Sequence, residues 1–594
     1  MIADIQSKHR QGKSQIIDPW LLIAIACFVI LAYLNWGKLE FPIIDIGHEI
    51  EPPARLLNGE VLYGDVESYY GPLAYYLNAL FILVFGHHLE IFYIIGLTLT
   101  LAIALLFYRL AKGLMNPPWA ALSTVCMLIY CAVGPSIFNF IVPYSYGAVY
   151  AILFSFIAFT CLEFYSKNYR PQWIIVAAIA CGLAGISKQE YGVAAIIAVW
   201  VGVNLGFSGK FMTRIYHNLL LIVVTLACVF VPLLILAQVV PWEQIQNSLL
   251  PLSKSKILID SGMFNISPGK TLQIWWRGFK VFLPVSLIVL TAVGISEWLL
   301  KRKIVNKWRK LNYFWALALS FSISLLLITL LSRLPFFTYY STKEVFQPLE
   351  NLSWSLPVIS GWFILTRPQT SKYKNAQTLW VLLVFSLVLN SRWLFHIHFY
   401  GLYATTVILL FFVLLYYISG KINRTVWHYL LICLIIAGSI QFNELQPYKY
   451  VVNSNYGTFY TKDTALAKAF NQAIAAINTS NVKAVQVLPH GQILNFLTKT
   501  HSPSRETNFI PGVLPTPEAE KDFIARMEAK PANLLVYVDV PFYSLSQDYD
   551  SLEEINPLIH QWIIQEHQLV HQFSIEPTDY PWNQGVIRIY SRSN

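Results

Sequence analysis

The sequence is short of charge: only 12% of its 594 residues are Asp, Glu, Lys or Arg, about half the roughly 25% that covers a soluble domain. It also lacks any cysteine pattern. Its seven cysteines, Cys27, Cys126, Cys131, Cys161, Cys181, Cys228 and Cys433, all lie in apolar stretches, with no CxxC and no Cys/His metal spacing. They read as small apolar packing residues. These absences exclude a soluble enzyme, a disordered chain and a disulfide-stapled secreted scaffold. What fills the chain instead is apolar, 56% hydrophobic and 15% aromatic with mean hydropathy +0.51, as in a protein solvated mostly by lipid. A net charge of +10 could point to nucleic acid in a soluble chain. In a membrane protein it marks cytoplasmic loops, and no nucleic acid is expected as a partner.

A helix needs roughly 17–25 apolar residues to cross the hydrocarbon. Such runs fall at 19–36, 90–110, 117–134, 146–164, 172–187, 191–208, 217–240, 279–299, 311–332, 351–366, 376–391, 400–419 and 425–443, thirteen in all. The first of them, Trp20 to Trp36, follows Lys8, Arg10 and Lys13 without a small-residue cleavage site, and reads as a retained signal anchor. Gly71–Gly86 is a fourteenth apolar segment, and the basic residues decide its role. If it lies in the interface, Lys8/Arg10/Lys13, Arg109/Lys112, Lys167/Arg170, Lys210/Arg214, the Lys301–Lys310 cluster, Arg367/Lys372/Lys374 and Lys421/Arg424 all share one side. The positive-inside rule requires that arrangement, and a crossing segment would break it after the first span. The segment is therefore expected as an amphipathic helix on the outer surface, with Leu73, Leu77, Leu80 and Val84 at helical spacing.

This arrangement predicts a multi-pass protein of the cell (inner or plasma) membrane with a cytoplasmic N-terminus and an extracytoplasmic C-terminus. Its outer loops are distinctive. Gly37–Tyr70 is long and acidic, carrying Glu40, Asp45, Glu49, Glu51, Glu60, Asp65 and Glu67, while Pro241–Lys280 and Ser332–Asn351 are long and rich in Trp, Tyr, Phe and Ser. The inner loops are minimal basic connectors, so function is expected on the outer face. The fold class is an α-helical polytopic membrane protein with about 13 spans over residues 1–444, of which 37–88 form the acidic loop with juxtamembrane helices, followed by a small α/β extracytoplasmic domain over 445–594.

That tail reads as helices at Asp463–Ile477, Gln492–Thr498, Pro517–Ala529 and Leu552–Glu566. Strands are expected at Ala484–Leu488, Leu534–Val540, Leu569–Ile575 and Gly585–Ser591. It carries no Gly-rich phosphate loop, nucleophile elbow or metal cluster. His490, His501, His560, His567 and His571 read as surface residues, and the domain as accessory.

Charged groups at the outer ends of spans are expensive and mark function by default. If the chain after Pro42 is helical, Asp45 and Glu49 stand at i and i+4 on one face. Two close carboxylates raise each other's pKa, which lets one act as a base near neutral pH. On spacing alone, a solvated acidic loop is an equal reading. The order Asp45-x-Gly47-x-Glu49, Ala54-Arg55-x-Leu57-x-Gly59, Leu62-Tyr63-x-Asp65, then Gly71-Pro72-Leu73-x-Tyr75-Tyr76-Leu77 and Phe85-Gly86 resembles the first outer loop of GT-C superfamily glycosyltransferases. It looks most like family 39 and the protein O-mannosyltransferase and aminoarabinose transferase group, with the match strongest over about residues 37–190. The resemblance implies transfer of a sugar from a polyprenyl-phosphate donor to an acceptor (lipid, glycan or protein) on the outer face, among membrane lipids.

In that family the loop's aspartate is the catalytic carboxylate, and it falls on Asp45. Where the family often has a second acidic residue directly after it, this chain has Ile46. Glu49 or Asp65 is left as the helper, and a divalent metal remains only a possible cofactor. Lys188, within Gly185-Ile186-Ser187-Lys188-Gln189-Glu190, resembles the family's Thr/Ser-Lys turn and is implied to meet the carrier phosphate as a point charge. The competing reading is a lysine that snorkels to the interface and pairs with Glu190. Arg392, in Asn390-Ser391-Arg392-Trp393, occupies a position where the family commonly has an arginine near the donor, and can fork onto a phosphate. His396 and His398 are two residues apart, poor spacing for a metal pair. Arg333 and Lys343 could also line the pocket, while Trp275-Trp276 reads as an interface anchor.

Two other classes compete. A secondary transporter would carry its charges near the midplane, on broken helices and in internal repeats. Here they sit at span ends and no two-half repeat is visible. A non-catalytic sensor leaves the acidic loop unexplained.

Overall fold

The structure, a computed structural model, describes residues 18–250, 291, 376–391, 401–540, 551–575 and 585–592, apart from 41, 44, 135–138, 207–208, 508, 510–512 and 531. The expected spans at 279–299, 311–332 and 351–366 lie outside the described residues, as does the Lys301–Lys310 cluster.

The protein is a helical polytopic membrane protein with a small sheet domain at its C-terminal end. Helices α1 (Pro19–Asn35), α2 (Asp45–Leu57), α3 (Pro72–Phe85), α4 (Glu90–Leu114), α5 (Pro117–Met127), α6 (Tyr146–Asn168), α7 (Pro171–Ser187), α8 (Gln189–Gly206) and α9 (Phe211–Leu236) follow in order. After them come α10 (Trp242–Leu249), α11 (Ala376–Asn390), α12 (Gly401–Ser419) and α13 (Asn423–Leu445). Among the described residues Glu90–Leu114, Tyr146–Asn168, Phe211–Leu236, Leu402–Ser419 and Asn423–Leu445 are long and apolar enough to cross a membrane. The remaining apolar helices are shorter. The starts are written in the sequence. Proline occupies the first turn of α1, α3, α5 and α7, where its missing N–H is no loss. Asp18, Asn116 and Ser145 cap α1, α5 and α6 through their side chains.

Ion pairs sort the helix ends. Lys112 Nζ lies 2.5 Å from Asp18 Oδ2 and Arg109 lies 3.5 Å from Glu163, so the start of α1 and the ends of α4 and α6 share one face. The opposite face carries the acidic loop and the tail. Both ends of α3 lie on that second face. At its start a Cβ on Gly71 would be 2.0 Å from the Ile186 carbonyl oxygen, a backbone contact that only glycine permits. Just past its end, His87 stacks on Phe496 of the tail at 4.0 Å. Fourteen residues span about 21 Å at about 1.5 Å each, short of the roughly 30 Å hydrocarbon core. Ala74, Tyr75, Asn78, Ala79 and Ile82 are buried, while Tyr76, Leu80, Phe81, Leu83, Val84 and Phe85 are exposed. The helix therefore lies with one end against the end of α7 and the other against the tail.

The tail begins with an unanticipated antiparallel hairpin, β1 (Tyr450–Ser454) and β2 (Gly457–Thr461). Its signal was in the sequence: alternating Val, Thr and Tyr around an Asn-Tyr-Gly turn. Helix α14 (Thr464–Thr479) follows, capped by Asp463, then β3 (Val485–Leu488), α15 (Ile493–Thr498), α16 (Pro517–Ala529) and β4 (Leu534–Asp539). The expected Leu552–Glu566 helix is two pieces, α17 (Leu552–Ile555) and α18 (Pro557–Glu566), because a proline removes a donor and disfavours helix at the residue before it. With β5 (His567–Ile575) and β6 (Gly585–Arg592) the main sheet has order β3-β4-β6-β5, parallel only between β3 and β4.

This domain is bonded to the first loop at several points. Tyr460 N–H donates to the Gly37 carbonyl at 2.7 Å, Leu89 N–H to Tyr456 at 2.9 Å and Glu67 N–H to Arg505 at 2.8 Å. A Cβ on Gly47 of α2 would come within 2.8 Å of the Ile493 backbone nitrogen. His490, expected on the surface, is buried. The supposed accessory domain thus forms one wall against which the acidic loop folds.

Candidate active site

The stretch after Pro42 is helical, so Asp45 and Glu49 share a face of α2. Glu49 is 1% exposed. One of its carboxylate oxygens accepts the Tyr146 N–H at 2.8 Å and the other the Tyr75 hydroxyl at 3.4 Å. Tyr146 opens α6, where the first N–H groups have no partner within the helix, and Glu49 supplies one of the missing acceptors. Burial pushes the Glu49 carboxyl up to about 8. The Tyr146 bond, the positive charge of Lys188 and the Tyr75 bond oppose that rise, whereas Asp45 adds to it. Asp45, in the first turn of the helix, is lifted by burial to about 6. At neutral pH, then, Asp45 is mostly ionised and Glu49 mostly protonated, which separates a base from its neighbour by environment.

Lys188 is the single non-helical residue between α7 and α8. It is only 3% exposed, so it does not snorkel to water. Its ammonium donates to the Tyr144 hydroxyl and to Ser145 Oγ, both at 3.3 Å, and stands 3.9 Å from Glu190. Glu190 Oε1 itself accepts the Tyr403 hydroxyl at 2.9 Å. Glu49 and the lysine therefore meet where the start of α6, the end of α7 and helix α2 come together, with Asp45 one turn back along α2.

Asp65 stands elsewhere in the loop. Its carboxylate accepts the Val61 N–H at 2.9 Å, and its carbonyl accepts from Arg55. Arg55 is the hub of that region, donating to Glu60 and to the Ser504 carbonyl of the tail, with Glu51 3.9 Å away. Burial pushes Glu51 up to about 7 against the pull of Arg55, and drives His48 down to about 4, so that imidazole is neutral at pH 7. Arg333, Lys343, Arg392, His396 and His398 lie outside the described residues, as do Trp275 and Trp276.

Sequence reasoning passed over Arg55 as a hub and over Tyr144, Ser145 and Tyr146. A signal for the last three existed, since a serine directly before an apolar run is a helix start. Among the described residues no group of three or more His, Cys, Asp or Glu could hold a metal ion.

A buried carboxylate, Glu49, and a buried lysine, Lys188, with Asp45 beside them on α2, make a charged site at one face of this membrane protein. No protein-family model matches the chain, and no curated protein does. Solved structures are similar in shape. One is the Archaeoglobus fulgidus oligosaccharyltransferase in complex with Zn and sulfate, at 13% identity and TM-score 0.49 over 87% of this chain and 68% of that one. Another is ArnT from Cupriavidus metallidurans bound to undecaprenyl phosphate, at 11% identity and TM-score 0.43 over 96% of this chain and 98% of that one. These are likenesses of overall shape, and the functional reading rests on this chain's own residues.

Proposed function

We propose that the protein is an integral membrane glycosyltransferase that moves a sugar from a polyprenyl-phosphate donor to an acceptor at the face bearing the tail. The observation that carries this reading is that Glu49, one turn from Asp45 on the loop whose motif resembles GT-C enzymes, lies within electrostatic reach of buried Lys188. Asp45 is the base that takes the proton of the acceptor hydroxyl as it attacks the sugar. Glu49, protonated and tied to α6, sits behind it as the positioning partner. Lys188, with the Glu190 carboxylate 3.9 Å away, takes up the charge that grows on the departing phosphate. Glu190 holds the lysine's surroundings through Tyr403, and Asp65 shapes the loop. Arg392, Arg333 and His396 are proposed as further donor-binding residues on the family resemblance alone. The acidic face is extracytoplasmic in this reading, and the opposite, basic face is cytoplasmic.

The test is turnover by the full-length protein in lipid vesicles, supplied with polyprenyl-phosphate sugars and scored for release of the lipid phosphate. The Asp45→Asn variant is expected to lose about 100-fold or more, the usual worth of a positioned base. Wild-type turnover in that variant would overturn the base assignment. Uptake of substrate without bond cleavage would support a transporter instead.

A further inference from the structure

Three aromatic rings surround the buried ammonium of Lys188. It lies 4.3 Å from the centroid of Tyr70, 4.8 Å from Tyr144 and 5.9 Å from Tyr403. We infer that Tyr70, Tyr144 and Tyr403 form a cation–π cage that holds and aims the Lys188 ammonium, which makes them positioning residues for the donor phosphate. The inference rests on the proposed transferase reading and deepens its donor site.

The rings come from separate parts of the chain and each is anchored independently. Tyr70 directly precedes α3, and its carbonyl accepts the Tyr63 hydroxyl at 2.6 Å. Tyr144 precedes α6 and meets Tyr70 edge-on at 6.4 Å. Tyr403 belongs to α12, donates to Glu190 and packs on Tyr191 at 5.3 Å. Tyr191 in turn donates to the Leu402 carbonyl at 2.8 Å, which ties α8 to α12. Convergence of three other chain segments on one ammonium is more than a snorkelling lysine requires.

The chemistry of the cage explains its use here. A buried ammonium needs compensation, and a tight carboxylate pair would provide it. That pair would also have to be broken before a phosphate could bind. Ring faces attract the cation through their quadrupole without spending its N–H donors. An ammonium has three donors: two are bonded to Tyr144 and Ser145, and Glu190 at 3.9 Å is beyond hydrogen-bond distance of the third, for which an incoming anion can compete. Tyr70 also lies within electrostatic reach of Glu49 and Asp45, so the same ring borders both the carboxylates and the lysine.

The experiment compares Tyr70→Leu, Tyr70→Phe, Tyr403→Leu and Tyr403→Phe in the full-length protein, alongside Lys188→Met. Each is accepted only if its thermal midpoint stays near wild type. The first readout needs no ligand: the rate at which acetic anhydride labels Lys188, followed by mass spectrometry. Leucine at position 70 is expected to speed labelling about threefold or more, and phenylalanine, which keeps the ring, to leave it near wild type. Equal rates in all four variants overturn the cage, as would phenylalanine behaving like leucine. The second readout is binding of polyprenyl phosphate against neutral polyprenol in nanodiscs. Tyr70→Leu should weaken phosphate binding about tenfold and raise the donor KM with little change in kcat. If wild type and Lys188→Met bind the phosphate and the alcohol alike, the donor-site reading fails while the labelling result still decides the cage.

Discussion

Replacing Glu49 with glutamine tests the electrostatics of the site directly. Glu49 is 1% exposed and its carboxyl is raised from 4.5 to about 8, chiefly by burial. At about 1.36 kcal/mol per pH unit, a displacement of that size penalises the ionised form by on the order of 5 kcal/mol. The folded chain then holds a proton that the unfolded chain releases between about pH 4.5 and pH 8. Stability rises with pH only where the unfolded state binds more protons. Here the folded state binds more, so Glu49 costs stability progressively as pH rises through that window. Below pH 4.5 both states are protonated and the effect vanishes. Glutamine keeps a carbonyl to accept the Tyr146 N–H, and its amide can donate to the Tyr75 hydroxyl, but it cannot titrate. Asp45, Glu51 and Glu506 are also raised, so the wild-type curve alone is a composite. The difference between wild type and variant isolates Glu49. The assay is the thermal unfolding midpoint of the detergent-solubilised full chain by tryptophan fluorescence, at one scan rate, from pH 5 to pH 8.5. The variant should gain relative to wild type steadily across that range. A constant offset at every pH would refute the assignment of a protonated, buried Glu49.

The remaining predictions follow from the same contacts. The donor kcat/KM should rise with unit slope through about pH 6 as Asp45 ionises, and Asp45→Asn should abolish that limb, as read from pH–rate profiles. Arg55→Leu removes the bonds to Glu60, Asp65 and Ser504 and leaves buried Glu51 without its counter-charge. A loss of about 3–5 kcal/mol should appear as a lowered unfolding midpoint and a tail open to limited proteolysis. Gly71→Ala would drive a Cβ to 2.0 Å from the Ile186 carbonyl, and should leave little folded protein by size-exclusion chromatography. In a cysteine-free background, cysteines placed at Asp65 and Lys468 should react with an impermeant maleimide from one side of the membrane, and a cysteine at Lys167 only from the other. Labelling of all three from one side would remove the two-faced arrangement.

Most of the helical architecture was legible in the sequence because spans obey a strong rule: every backbone polar group in lipid must be satisfied internally. Apolar runs at 90–110, 146–164 and 172–187 therefore became helices Glu90–Leu114, Tyr146–Asn168 and Pro171–Ser187, differing mainly at the ends. The site was legible only in part. Spacing put Asp45 and Glu49 on one face of α2, but nothing in the local sequence says that Glu49 meets the N–H of Tyr146, 97 residues away. Nor does it say that the carbonyl bonding Arg55 belongs to Ser504, 449 residues on. Such pairings are tertiary, and a single sequence carries no trace of them.

Those long-range bonds change what the tail is for. The loop from Gly37 to Glu90 is held at Gly37, Leu39, Gly47, Arg55, Tyr63, Glu67, His87 and Leu89 by residues beyond 455. Helix α2 carries both carboxylates, yet Pro52 and Pro53 lie inside it and remove two of its N–H donors. A short helix weakened in this way is not rigid by itself. Its backbone at Gly47, midway between Asp45 and Glu49, is pressed against the backbone of Ile493, while its far end is bonded through Arg55 to Ser504. Rigidity that the helix lacks is thus supplied by the sheet domain, because positioned chemistry needs supporting contacts on more than one side. The tail is therefore part of the frame of helix α2, and a change in how it docks would bear on the two carboxylates that the helix carries.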